Sequence, residues 1–262
     1  YGNAKTKDLW SALAKVSGKS VQKVINTWTQ QIGYPLLTTK TSEKEIEITQ
    51  ERYFFSGRKK DATKWLIPFA VTHDNKTTYV LLEKQKEVIP REKGTTILNK
   101  NQVGFYRIQY DAPLFNEQVK ALQENKLDIL DKIGLLANVY TVAEAGYGDL
   151  ARFLDLLEFV REETNYTLWI DVAGSVGQLQ GMFTRTRFED DLDTLTRWVF
   201  EKILEKVGWE ERKGEQHTDI LLRITVLAMT GYSKEPSVQA EAKKRFQNYL
   251  KTKTLNPNLR GV

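Results

Sequence analysis

Cysteine is absent from this sequence, and histidine nearly so, with His73 and His217 the only two in 262 residues. The first absence removes thiol nucleophiles, disulfides and every cysteine-bearing metal site. The second leaves too few imidazoles for a zinc centre, because structural sites take four protein ligands and catalytic ones three, with His or Cys prominent among them. No apolar run approaches the ~18 residues a membrane helix needs. The opening Tyr1-Gly2-Asn3-Ala4-Lys5 has no basic-then-apolar leader pattern. Walker A, G-x-S-x-G and H-E-x-x-H sequences are missing as well. The expectation is a soluble, cytoplasmic chain with no membrane partner, no complete catalytic centre and no cofactor of its own.

What is present is an ordinary globular composition, 40% hydrophobic, with a net charge of +5. The charge is uneven: residues 1–33 and 34–111 each carry a net +4, and residues 112–262 a net −3. A slightly acidic later half argues against a phosphate-facing groove there. The basic first 111 residues lack clustered Arg and Lys interleaved with aromatics on one strand face, so nucleic acid is not an expected partner.

Three regions follow from the hydrophobic period. Leu9, Trp10, Leu13 and Val16 fall at helical spacing after Thr6, a candidate N-cap, and Gly18 stops the run. Ser20 is placed to cap a second helix carrying Val21, Val24, Ile25 and Trp28, which Gly33 and Pro35 end. From 34 to 111 the period drops to two. Ile46, Ile48 and Gln50 alternate with charged and polar residues, and the strand is expected to run on through Tyr53-Phe54-Phe55. Segments 65–71 and 77–82 flank His73-Asp74-Asn75-Lys76, a hairpin loop by composition. With 88–90, 95–98 and 104–110, about seven short strands are expected, the number in a small β-sandwich. After Asp111-Ala112-Pro113 the spacing is helical to the end, in pairs of HEAT-like length with no tight repeat. The fold class is therefore α+β: two helices (1–33), a small β-sandwich (34–111) and an α-helical HEAT-like array (112–262). Two helices this short cannot bury enough to stand alone, and the last residues show no polar capping helix, so both ends are expected to be cut.

Few residues stand out chemically. Gly146-Tyr147-Gly148-Asp149-Leu150-Ala151 has the letters of a dinucleotide turn, but it follows a helix and reads as an interhelical turn. His73 reads as an exposed hairpin residue. His217 stands just before Ile220-Leu221-Leu222-Arg223, at a helix start. Glu189-Asp190-Asp191 and Asp193 open a helix, where carboxylates favour the positive end of the dipole. Arg58-Lys59-Lys60 is a solvated loop. Arg185 and Arg187 bracket a helix turn and could receive an anion or a peptide carboxylate.

Several segments taken in order carry a resemblance. Asp8-Leu9-Trp10 followed by Trp28-Thr29-Gln30-Gln31-Ile32-Gly33-Tyr34-Pro35 resembles the W-x-x-Q-x-G-[YF]-P junction that closes the catalytic domain of M1 zinc aminopeptidases. Asn101-Gln102-Val103-Gly104-Phe105-Tyr106-Arg107-Ile108-Gln109-Tyr110-Asp111 is similar to their N-x-x-G-[YF]-Y-R-[VI]-x-Y-D strand. Gly208-Trp209-Glu210, Lys213-Gly214-Glu215, His217 and Leu221-Leu222-Arg223 resemble the helical domain of the puromycin-sensitive and tricorn-interacting members. The match spans essentially the whole chain.

The resemblance implies the C-terminal portion of a cytoplasmic metalloprotease that removes N-terminal residues from peptides. It implies the end of a thermolysin-like domain (1–33), a β-sandwich (34–111) and a helical bowl (112–262) incomplete at its C-terminus. Zinc, the H-E-x-x-H helix, the G-x-M-E-N loop and the transition-state tyrosine would then lie in the parent enzyme, upstream of Tyr1. The implied partners are that N-terminal catalytic half and peptide substrates, and the chain alone would be inactive. Arg185, Arg187, Arg223 and His217 are the residues expected to face the substrate chamber. Asp131-Lys132, where Arg commonly follows Asp, and Asn138, where Asp is common, depart from the family pattern and put particular ion pairs in question. A stand-alone β-sandwich plus helical-array module that recruits a protein partner is the alternative.

Overall fold

The computed structural model describes residues 2–74 and 76–261. The chain divides into two compact units, residues 1–153 and 154–262. The first opens with α1 (Thr6–Ser17) and α2 (Val21–Thr29). Gly18 ends α1 in the left-handed region, where a residue without a Cβ is unstrained. Thr6 is the first helical residue rather than the cap, a position taken by Lys5, and Ser20 precedes α2 without a capping side-chain hydrogen bond. No residue of α1 is buried, and Val16 is 88% exposed. The second helix is anchored: Trp28 Nε1 donates to the Leu66 carbonyl at 2.9 Å, and Thr27 Oγ1 accepts from the Leu66 N–H at 3.1 Å.

Seven strands follow: β1 (Pro35–Thr41), β2 (Glu45–Arg52), β3 (Ile67–His73), β4 (Lys76–Leu82), β5 (Lys86–Pro90), β6 (Thr96–Leu98) and β7 (Arg107–Gln109). They form a four-stranded sheet in the order β5-β2-β1-β7 and a three-stranded sheet in the order β4-β3-β6. The β1–β7 pair is parallel and the other pairs are antiparallel. Gln50, on β2, is a buried tie: its side chain accepts from the Trp65 N–H and donates to the carbonyls of Trp65 and Lys84, satisfying backbone outside the ladders.

Three expectations are corrected here. The second strand stops at Arg52, and Phe54 and Phe55 leave the sheet, with Phe55 exposed and Arg52 lying over the Phe54 ring at 4.9 Å. His73 is not a loop residue. It closes β3 opposite Lys76, is only 7% exposed, and its Nδ1 lies 3.2 Å from Thr96 Oγ1 on β6. The ladder claims both His73 and Lys76, which the polar composition assigns to the loop. Finally, β1 is a strand that the period-two reading does not single out. Leu36 and Leu37 are both buried, Leu36 in a cluster with Tyr53, Val142, Ala145 and Tyr147. A strand covered on both faces loses the apolar–polar alternation that signals one.

The first unit also takes in α3 (Ala112–Gln123) and α4 (Ile129–Glu144), so its boundary falls well after the last strand. The physical reason is hydrogen bonding into the sheets: Gln118 Nε2 donates to the Thr96 carbonyl at 2.6 Å, and Asn138 Oδ1 accepts from the Ile108 N–H at 3.2 Å. A short helix, α5 (Ala151–Leu157), crosses into the second unit. There α6 (Tyr166–Phe183), α7 (Glu189–Val207), α8 (His217–Tyr232) and α9 (Pro236–Thr252) follow. The α8 helix packs against α6, α7 and α9, and Trp169 on α6 meets Phe200 on α7 with ring centroids 5.0 Å apart. No helix among the described residues is long and apolar enough to cross a membrane.

Candidate functional site

Arg185 and Arg187 lie in the turn between α6 and α7, both exposed. Arg185 has φ +61°, and its N–H donates to Glu189 Oε2 at 2.6 Å, which fixes the turn while leaving the guanidinium outward. Arg187 stacks over the Phe188 ring at 4.7 Å. His217 is the first residue of α8 and exposed, while the helix start is held by Asp219, whose Oδ2 accepts from the Gln216 N–H at 3.1 Å. Arg223, six residues further along α8, is 1% exposed. Its Nε donates to the Val207 carbonyl at 3.1 Å and its Nη2 to Glu215 Oε1, while Nη1 has no hydrogen-bond partner among the described residues. That Arg223 contact holds the Glu215 carboxyl below its ordinary value.

The four residues therefore do not converge. Arg185 and Arg187 sit at the start of α7, and His217 and Arg223 follow its end. Nineteen helical residues separate the two places, roughly 28 Å at ~1.5 Å per residue.

The acidic run is engaged in a basic contact. Lys234, itself at φ +61°, reaches Glu189 at 3.5 Å, Asp190 at 3.4 Å and the buried Asp193 at 2.8 Å. The hydrogen bond to Asp193, then that to Asp190, raises the Lys234 pKa. Glu189, Asp190 and Asp191 occupy the first turn of α7, as the dipole argument requires. Among the described residues no group of three or more His, Asp or Glu is placed to hold a metal ion. With His73 tied to Thr96 and His217 at an exposed helix start, the residues present do not fit a zinc site.

Nothing in the sequence singles out a cleft that the first unit forms between its sheet and helices. It has a volume of about 430 Å³ and is bordered by Thr38, Gln109, Asp111, Tyr147, Asp149 and Arg152, among others. Most of its polar groups are satisfied internally. Asp111 accepts from the Thr39 and Thr41 hydroxyls at 2.9 Å, Gln109 Oε1 accepts from Arg58 at 3.0 Å, and Arg152 Nη1 donates to the Tyr110 carbonyl at 3.0 Å while lying over Phe115. These bonds join the sheet to the helices, and Asp111 is engaged by two threonine hydroxyls and the Thr41 N–H. Beside the cleft, Gly146 takes φ +75° between α4 and α5, so the glycine pair is an interhelical turn.

At the departures from the M1 pattern, the buried Asp131 pairs with Lys100 Nζ at 2.6 Å and accepts the Asn101 N–H at 2.7 Å. Lys132 Nζ donates to Asn125 Oδ1 at 2.7 Å. Asn138 serves β7 through its amide oxygen, a role that needs no charge.

The family described as ERAP1-like C-terminal domain matches residues 96–262, more than half of the chain. The chain belongs to that family. Full-length comparison extends the match over the strands and the first two helices. Aminopeptidase 2 of Candida albicans is 30% identical over 272 residues, covering 100% of this chain and 29% of the relative. Aminopeptidase M1-A of Oryza sativa subsp. japonica is 30% identical over 280 residues, covering 99% and 31%. Aminopeptidase 2, mitochondrial, of Saccharomyces cerevisiae is 28% identical over 257 residues, covering 95% and 27%. This ERAP1-like chain thus spans about three tenths of the length of the relatives it matches, and its sequence corresponds to the C-terminal part of M1 aminopeptidases.

Proposed function

We propose that this chain is the non-catalytic C-terminal portion of a zinc aminopeptidase that removes N-terminal residues from peptides. The observation that carries the reading is a family match over the helical part, together with aminopeptidase relatives aligned across the whole chain. In this reading the zinc ion and the groups that activate its water belong to an N-terminal catalytic half, and residues 1–33 are the last helices of that half's domain. The two sheets and the helical array, HEAT-like in its pairing, shape and close a chamber that admits peptide chains and limits their length. Such a role bears on access and closure, not on the chemical step. The cytoplasmic setting expected from the sequence belongs to the same proposal.

Within it, Arg185 and Arg187 are the chamber-facing candidates, because both guanidiniums are exposed on a turn whose backbone is already fixed. His217 is a second exposed candidate, whereas Arg223 acts on the chamber only through the loop it holds. In the enzyme containing both halves, Arg185→Glu with Arg187→Glu is expected to raise KM for long peptides about tenfold, a loss of ~1.4 kcal/mol in binding. The kcat for a single-residue arylamide should stay unchanged. Equal effects on both substrates, or none on either, would remove these residues from the chamber.

A further inference from the structure

The unpaired edge of β4 is the feature of the first unit that its packing leaves unexplained. Asn99 N–H donates to the Ala70 carbonyl at 3.1 Å and Asp74 N–H to the Thr95 carbonyl at 2.9 Å, so the polar groups of Ala70 and of its alternate neighbours on β3 point toward β6. Tyr79 stands opposite Ala70, Thr77 opposite Thr72 and Leu81 opposite Pro68, a residue with no N–H to offer. Ladder alternation then turns the N–H and C=O groups of Thr77, Tyr79 and Leu81 away from β3. Among the described residues no other strand pairs with β4, and no other hydrogen bond reaches those six groups.

Sheet edges of this kind are usually blunted by a charge, a proline or a bulge. Apart from Lys76 at its first position, β4 has none of these, and Tyr79 at its centre is 77% exposed. An apolar trough of about 650 Å³ runs beside this edge, between α2 and Leu66, Pro68, Tyr79 and Leu81.

We propose that β4 is an interaction surface whose partner is β4 of a second copy of this chain, joined antiparallel about a two-fold axis through Tyr79. The free groups are self-complementary in that register: Tyr79 meets Tyr79, and Thr77 meets Leu81, using all three residues on each side. Charge agrees with the pairing. Lys76 begins the strand and Glu83 follows it, so each Lys76 comes to the end that carries the other copy's Glu83. The present partners of these two are exposed and loose, Lys76–Glu92 at 4.0 Å and Lys23–Glu83 at 3.6 Å. The result is one six-stranded sheet continuous across an isologous dimer. This pairing does not rest on the aminopeptidase reading.

Sedimentation velocity on the chain, with circular dichroism to confirm folding, tests it. The unaltered chain should sediment as a dimer in the micromolar range. Thr77→Lys with Leu81→Lys sets lysines opposite each other at both ends and should weaken the dimer roughly tenfold or more. Thr77→Lys with Leu81→Glu sets opposite charges there and should restore it. A folded chain that stays monomeric overturns the proposal, as does a dimer indifferent to the paired lysines. Equal loss in both double variants overturns the register.

Discussion

Replacing Arg223 by methionine is expected to destabilise the second unit by about 2–3 kcal/mol, because the buried Val207 carbonyl loses its donor and the helix interior gains nothing in return. Glu215 loses its partner in the same step, which adds to the effect. Thermal unfolding followed by tryptophan fluorescence would show this, since Trp209 lies in the loop that the pair holds. Adding Glu215→Leu to the methionine variant should recover part of the loss, because an apolar pair of similar volume can replace a buried ion pair at little cost. The pH dependence has a fixed sign. Arg223 lowers the folded-state pKa of Glu215 below the ordinary 4.5, so the stabilisation is whole above 4.5 and disappears as pH falls through the lowered value. The methionine variant should lose that part of the acid sensitivity. An Arg223 that served only a ligand would leave melting unaffected.

Asp131→Ala is expected to cost the first unit about 3 kcal/mol. Three residues in four, Asn99, Asn101 and Gln102, hold φ near +55 to +59°, a region that side chains other than glycine enter only when the surroundings fix them. Asp131 is the fixing group. Its Oδ1 takes the Asn101 N–H and its Oδ2 takes Lys100, while Asn99 closes the turn through its bonds to the N–H and C=O of Gly104. Alanine leaves the Asn101 N–H without its acceptor and Lys100 with the exposed Asp128 alone. Hydrogen exchange at residues 99–104 should speed up in the variant well before global unfolding. Unchanged protection there would show that the turn is held by its own backbone and not by α4.

The same turn shows where sequence reading stops. The helices were legible because Leu9, Leu13 and Val16, or Val199, Ile203 and Val207, recur at the helical spacing whatever covers them. Six of the seven strands were legible from β-branched and aromatic runs between turn residues. The missing one, β1, is covered on both sides, so Leu36-Leu37 gave no alternation. His73 was misplaced because a polar tetrapeptide cannot show which of its residues the ladder will claim. At the site level Arg185, Arg187 and Arg223 look alike in sequence, yet two are exposed and one is sealed. What separates them is Glu215, eight positions before Arg223, and only the loop between α7 and α8 brings that carboxylate round. Asp131 offered a better signal: a carboxylate followed by Lys132 where the family commonly has Arg, thirty residues after an Asn-Lys-Asn run with turn composition.

The most direct test of the central claim is hydrolysis of aminoacyl arylamides by the purified 262-residue chain with zinc added. The account predicts no turnover from the chain by itself, and activity only when the N-terminal half is supplied. Zinc-dependent turnover by the pure chain would contradict it.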